Sequence, residues 1–250
     1  MARVSSKEKS GARVDFSHFE GLPEPVQRYF KHVLTDGQPI IHSIDIAQAG
    51  ALRTRTDGNK WLTFEAIQSV TPVDKNFTWN AKIKFFPGMF ISVEDRLEDG
   101  MGSGKVKLFS VIPIASDKNH KQLNSGALHR YLAEAVWFPT ALLPESGVMW
   151  TAIDDRRALA SLKVKELTVE LEFIFNGNNE VESVYAEGRY GQFDGGYQKR
   201  PWEGHFRNYH EIEGIKVPKY GEVGWWMDGS FELVWKGEIV KANISYEDGK

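Results

Sequence analysis

The side chains best suited to chemistry lie close together late in the chain, where residues 202–211 read Trp-Glu-Gly-His-Phe-Arg-Asn-Tyr-His-Glu. On a regular strand Glu203, His205, Arg207, Tyr209 and Glu211 share one side, and Trp202, Gly204, Phe206, Asn208 and His210 share the other. A carboxylate, an imidazole, a guanidinium and a phenol in a row could move protons and hold an anion if they lined a cavity. The same alternation marks a half-exposed strand whose wet face carries cross-strand charge pairs, and this plainer reading is the favoured one. The other candidate carboxylate is Glu134, set in the apolar run Tyr131-Leu132-Ala133-Glu134-Ala135-Val136. An acid in such surroundings needs a partner or a raised pKa. Arg130, one helical turn back, or an arginine of the Arg156-Arg157 pair could supply the partner. Catalytic candidates are therefore Glu134, His205, Arg207 and Tyr209, acting as an acid–base set on a small apolar substrate if they converge.

Other reactive constellations are missing. With no cysteine among the 250 residues, disulfides, thiolate metal sites and a cysteine nucleophile are excluded. The seven histidines are scattered without a paired-ligand spacing. Asp154-Asp155-Arg156-Arg157 reads as a charged turn with local ion pairs, since adjacent carboxylates on a strand point apart. No metal and no cofactor are expected. Gly100-Met101-Gly102-Ser103-Gly104 falls between two strand patterns, so it reads as a flexible hairpin and not a phosphate loop. Lys and Arg total 31 against 34 Asp and Glu, a net charge of −3, which argues against a nucleic-acid partner.

These residues must be positioned mainly by strands. After a basic tail (residues 1–15), Val26, Tyr29, Phe30 and Val33 predict a short helix over 23–34. From residue 40 the dominant period is two. It is clearest where Phe77, Trp79, Ala81, Ile83 and Phe85 alternate with Asn80, Lys82 and Lys84. Asp57-Gly58-Asn59 reads as a hairpin turn, and residues 105–112 as one strand. A second helix is expected over 124–137, capped by Asn124 or Ser125 and followed by an apolar, proline-bracketed loop at 138–144. Turn signals then recur about every 8–12 residues to the end. No linker divides the chain, so residues 16–250 are expected to form one domain. The expected fold class is mainly β (α+β): a large curled antiparallel meander, or half-barrel, of about 10–12 strands closed by the central helix and loop.

A curled sheet needs something inside it. The chain has eight Trp, and Tyr131, Trp137, Phe138, Trp79, Trp202 and Trp225 are the expected lining of an apolar cavity, with ordinary core packing as the alternative. The expected partner is an apolar small molecule or lipid. No stretch approaches the roughly 20 apolar residues of a membrane-spanning helix, and no apolar run follows the N-terminal charges. The expectation is a soluble cytoplasmic protein, or a periplasmic one if an N-terminal segment was removed.

Four stretches carry a resemblance. Leu22-Pro23-Glu24-Pro25-Val26-Gln27-Arg28-Tyr29, the tract from Arg130 through Trp137-Phe138-Pro139 to Pro144, Ile153-Asp154-Asp155-Arg156, and Pro201-Trp202-Glu203-Gly204-His205-Phe206-Arg207 together resemble a bacterial family of unknown function. Its fold is similar to the half-open barrels of periplasmic lipoprotein carriers. The resemblance implies that fold and a ligand of apolar character, and it brings no activity. The exported, lipidated N-terminus of such carriers has no counterpart in the sequence.

Overall fold

Stretches of period-two hydrophobicity become strands whose apolar sides all face one way, and together they build a single sheet. The structure is a computed structural model that describes residues 12–54, 56 and 59–246. Most of the basic tail, and residues 57 and 58 of the expected turn, lie outside the described residues. A 3-10 turn, Phe16–Phe19, leads to helix α1 (Glu24–Val33). Strands β1 (Ile41–Leu52), β2 (Leu62–Thr71), β3 (Asn76–Phe86), β4 (Met89–Glu98), β5 (Met101–Leu108) and β6 (Ile112–Lys118) follow. Helix α2 (Lys121–Glu134) and three 3-10 turns, the last at Pro144–Ser146, interrupt the sheet. Strands β7 (Val148–Ala152), β8 (Arg157–Val164), β9 (Leu167–Phe175), β10 (Val181–Phe193), β11 (Gly196–Ile212), β12 (Ile215–Met227) and β13 (Ser230–Tyr246) complete the chain.

All thirteen strands belong to one antiparallel sheet, in the order β6-β5-β4-β3-β2-β1-β13-β12-β11-β10-β9-β8-β7. A sheet this wide cannot stay flat. It curls so far that α2 packs against β4 and β5 on one side and against β9 and β10 on the other. At the rim the Tyr197 hydroxyl of β11 donates to Asp117 Oδ2 of β6 at 2.7 Å, so the β6 edge and the β10–β11 hairpin meet through side chains. The architecture is the expected half-barrel closed by a central helix and loop.

The concave side holds the core. Rows such as Ile44, Val70, Phe77 and Leu97 run straight across paired strands. Helix α1 covers one end, where Tyr29 packs on Phe175 and Phe30 meets Trp150 edge-on. Helix α2 is buried on nearly every side, through Ser125, Gly126, Leu128, His129, Tyr131, Leu132 and Ala133, as befits a plug and not a surface helix.

Several boundaries differ from the sequence reading. Helix α2 starts before Asn124, because the His120 side chain accepts the backbone N–H of Leu123 and caps it, and the segment Ala135–Trp137 is a 3-10 turn. The glycine-rich segment 100–104 is not a loose hairpin, since all but its first residue belong to β5. Gly102 lets α2 approach closely: a Cβ would sit 3.0 Å from the Leu123 carbonyl oxygen of α2. The single strand expected over 105–112 is two strands, joined at Phe109 and Ser110, whose positive φ angles of 49° and 62° make a tight turn without glycine.

Candidate functional site

The inner face of α2 brings charge into the aromatic interior. Arg130 Nε donates to Glu134 Oε1 at 2.7 Å, within one helical turn, and Arg130 Nη1 donates to Asp95 Oδ2 of β4 at 3.0 Å. Strands β1 to β3 extend the network. Gln68 Nε2 donates to Glu134 Oε2 at 2.6 Å, Gln48 Nε2 donates to Gln68 Oε1 at 3.0 Å, and Trp79 Nε1 donates to Gln48 Oε1 at 2.8 Å. The Arg130 guanidinium also lies over the Phe77 and Trp79 rings. Burial opposes its charge, but Glu134 and Asp95 more than offset this and hold it above the usual arginine value.

A second guanidinium faces this network from β10. Arg189 is stacked between Trp202 and Trp225, 4.8 and 5.2 Å from their ring centres. Its Nη2 donates to the Gly126 carbonyl at 3.1 Å, while its Nε is buried without a hydrogen-bond partner. Burial, and after it the charge of Arg130, bring its pKa down to about 10, so it remains a cation at neutral pH. Arg130 engages both carboxylates of the cluster, and among the described residues Arg189 forms no ion pair with either.

Arg189 opens onto a cleft of about 250 Å³ between α2, β4, β5 and the β10–β11 hairpin. Phe77, Leu123, Ala127 and Trp225 form apolar walls, and the charged groups are Arg96, Arg130, Arg189 and Asp95. A bulge between Ala186 and Arg189 turns the Arg189 side chain inward. Gly191 lets the Trp225 ring pack directly on the β10 backbone, since a Cβ there would meet that ring at 2.6 Å. On the other flank of α2, β10 parts from β9 beyond Tyr185. This leaves a more polar cleft of about 870 Å³ lined by Ser125, His129, Tyr190 and Lys199 among others. His129 Nδ1 donates to the Ser125 carbonyl at 2.8 Å, and burial lowers its pKa to about 4. The ring is neutral at pH 7.

The residues singled out from sequence do not converge. Glu134 lies in the interior with Arg130 as its partner. Glu203, His205 and Arg207 lie on the outer face. There His205 Nε2 is 2.8 Å from Glu203 Oε1, and Arg207 Nη2 donates to Glu222 Oε2 at 3.2 Å. Tyr209 departs from the face assigned to it. Asn208 adopts a positive φ of 61° and the ladder skips it without any shift of register, and at this irregularity Tyr209 packs against the core. Its hydroxyl donates to the Val181 carbonyl at 3.1 Å, and burial holds its pKa well above the ordinary tyrosine value. Of the six aromatic residues expected to line a cavity, Trp225 lines the cleft and Trp202 stacks behind Arg189. Tyr131, Trp137, Phe138 and Trp79 are packed core residues, with the Trp137 indole N–H on the Pro218 carbonyl at 3.1 Å. Arg189 was missed. The strand pattern of 181–190 places it on either face depending on the bulge, and nothing local announces the bulge.

The fold and site define a half-barrel β protein whose helix-covered interior holds a charged cluster beside a small cleft. The chain belongs to a family of unknown function, DUF6920, matched over residues 20–246. Among solved structures, a LolA superfamily protein from Nitrosomonas europaea is similar over 90% of this chain and 94% of its own, at 9% identity and a TM-score of 0.45. No curated protein matches.

Proposed function

We propose that the protein binds and carries an apolar small molecule or lipid bearing an acidic head group, with the head on Arg189 and the apolar body against Trp225. The observation that carries this reading is the Arg189 guanidinium: enclosed, held by two indoles and one carbonyl, and in no ion pair with a carboxylate among the described residues. A desolvated cation favours an anionic partner, and the planar fork of arginine fits a carboxylate or phosphate. The walls of the cleft supply the mostly apolar lining with a few placed polar groups that ligand sites share. At about 250 Å³ the cleft is slightly smaller than most sites for drug-sized ligands. The head group and the first carbons enter, and the remainder lies along the open end of the half-barrel.

Titration calorimetry with decanoate and decanol tests this. Decanoate should bind at least tenfold more tightly than decanol, and Arg189→Leu should abolish the difference. Equal affinity for the two probes, or unchanged decanoate binding by Arg189→Leu, removes the proposal.

A further inference from the structure

The hairpin turns of β3–β4 and β5–β6 emerge side by side at one end of the sheet, and both are apolar. Phe86, Pro87 and Met89 form the first tip, and Phe109, Val111 and Ile112 the second. Exposure reaches 61% at Phe86, 76% at Val111 and 56% at Ile112. The tips hold each other in place: the Phe90 and Phe109 rings meet edge-on at 5.7 Å, the Phe109 N–H donates to the Phe90 carbonyl, and the Ser92 and Ser110 hydroxyls lie 2.6 Å apart. A chain that buries its large aromatic residues elsewhere leaves this cluster in water, and a contiguous exposed apolar patch marks an interaction site.

The charges around the tips are of one dominant sign. Lys60, Lys82, Lys84, Lys105 and Lys107 sit on or just behind them, with Glu65 and Glu94 as the neighbouring acids. Lys84 pairs with Glu65 and Lys105 with Glu94. Lys60 and Lys82 instead lie over the Phe86 and Phe90 rings. Five lysines less two glutamates leave a local charge of +3 among the described residues. Apolar tips with a basic collar match a bilayer, in which aromatic and aliphatic side chains enter the headgroup–acyl boundary while lysines stay at the anionic headgroups.

We infer that the two hairpin tips dock the protein onto an anionic lipid bilayer surface. Pairing of sheet edges with a second copy is the competing occupant, and β6 is an edge strand. Pro113 and the bulge beside it break the donor row there, which disfavours edge pairing. The inference stands apart from the ligand reading, because no tip residue is shared with the Arg189 cleft.

Vesicles of phosphatidylcholine with and without phosphatidylglycerol separate the possibilities. The protein should sediment with the mixed vesicles and not with phosphatidylcholine alone. High salt should weaken the attachment, at roughly fivefold per engaged lysine. Phe86→Ser combined with Val111→Ser should abolish sedimentation, and Lys82→Gln combined with Lys107→Gln should weaken it by more than tenfold. Arg189→Leu should sediment like the parent, so failure of the ligand proposal would leave this result intact. Because the chain lacks cysteine, Val111→Cys accepts a single environment-sensitive fluorophore. Its emission should shift to the blue on mixed vesicles, whereas a label at Ile153→Cys should not respond. Absence of sedimentation, sedimentation indifferent to the tip variants, or a blue shift caused only by concentration-dependent dimerisation each overturns the inference.

Discussion

Glu134→Gln tests whether the charged cluster under α2 is a stabilising unit. Glu134 accepts from Arg130 and Gln68, and its side chain is only 15% exposed, against 20% for Arg130. Removing one member of a buried pair costs about 3–5 kcal/mol, because the remaining charge is left desolvated. Here Asp95 still engages Arg130, and the new amide can keep accepting one of the two hydrogen bonds, so the expected loss is about 2–3 kcal/mol. For a domain of this size that lowers Tm by roughly 5–10 °C. Urea and thermal unfolding followed by circular dichroism measure it, and Arg130→Met completes a double-mutant cycle. The double variant should be more stable than the sum of the two single losses by at least about 1.5 kcal/mol. A Glu134→Gln protein within about 0.5 kcal/mol of the parent, or strictly additive losses, would refute the reasoning.

Three further outcomes follow from the geometry. His129 is kept neutral in the native state down to about pH 4, whereas the unfolded ring titrates near 6.5. Stability from this group is therefore complete above pH 6.5 and is lost as the pH falls toward 4, by up to roughly 3 kcal/mol; His129→Gln should flatten that limb of a stability–pH curve. Gly102→Ala should cost about 1–3 kcal/mol in urea unfolding, because its Cβ meets α2 backbone that cannot swing aside. Tyr209→Phe should cost about 1 kcal/mol by orphaning the Val181 carbonyl, while His205→Ala should change stability by less than about 0.5 kcal/mol and leave decanoate binding untouched. A large loss of binding by His205→Ala would restore the outer face as a site.

The sequence by itself determined the fold class and most of its strands, because burying one face of a strand imposes a period of two on the residues themselves. It also pointed to the central helix and to Arg130 as one of the partners that would follow from burying Glu134. Irregularities escaped it. The turn at Phe109-Ser110, the bulge before Arg189 and the left-handed backbone at Asn208 carry no local signal, and the extra residue of a bulge reverses the side chains that follow. The bulge turned Arg189 into the interior, and Tyr209, beside the irregular Asn208, packs against the core and not on the wet face. Only the tertiary structure decided which side chains share the cleft, since Asp95, Arg130, Arg189 and Trp225 come from four elements that the curl of the sheet alone brings together. Closure of the half-barrel around α2 is a long-range property, and the identity of the candidate site depends on it.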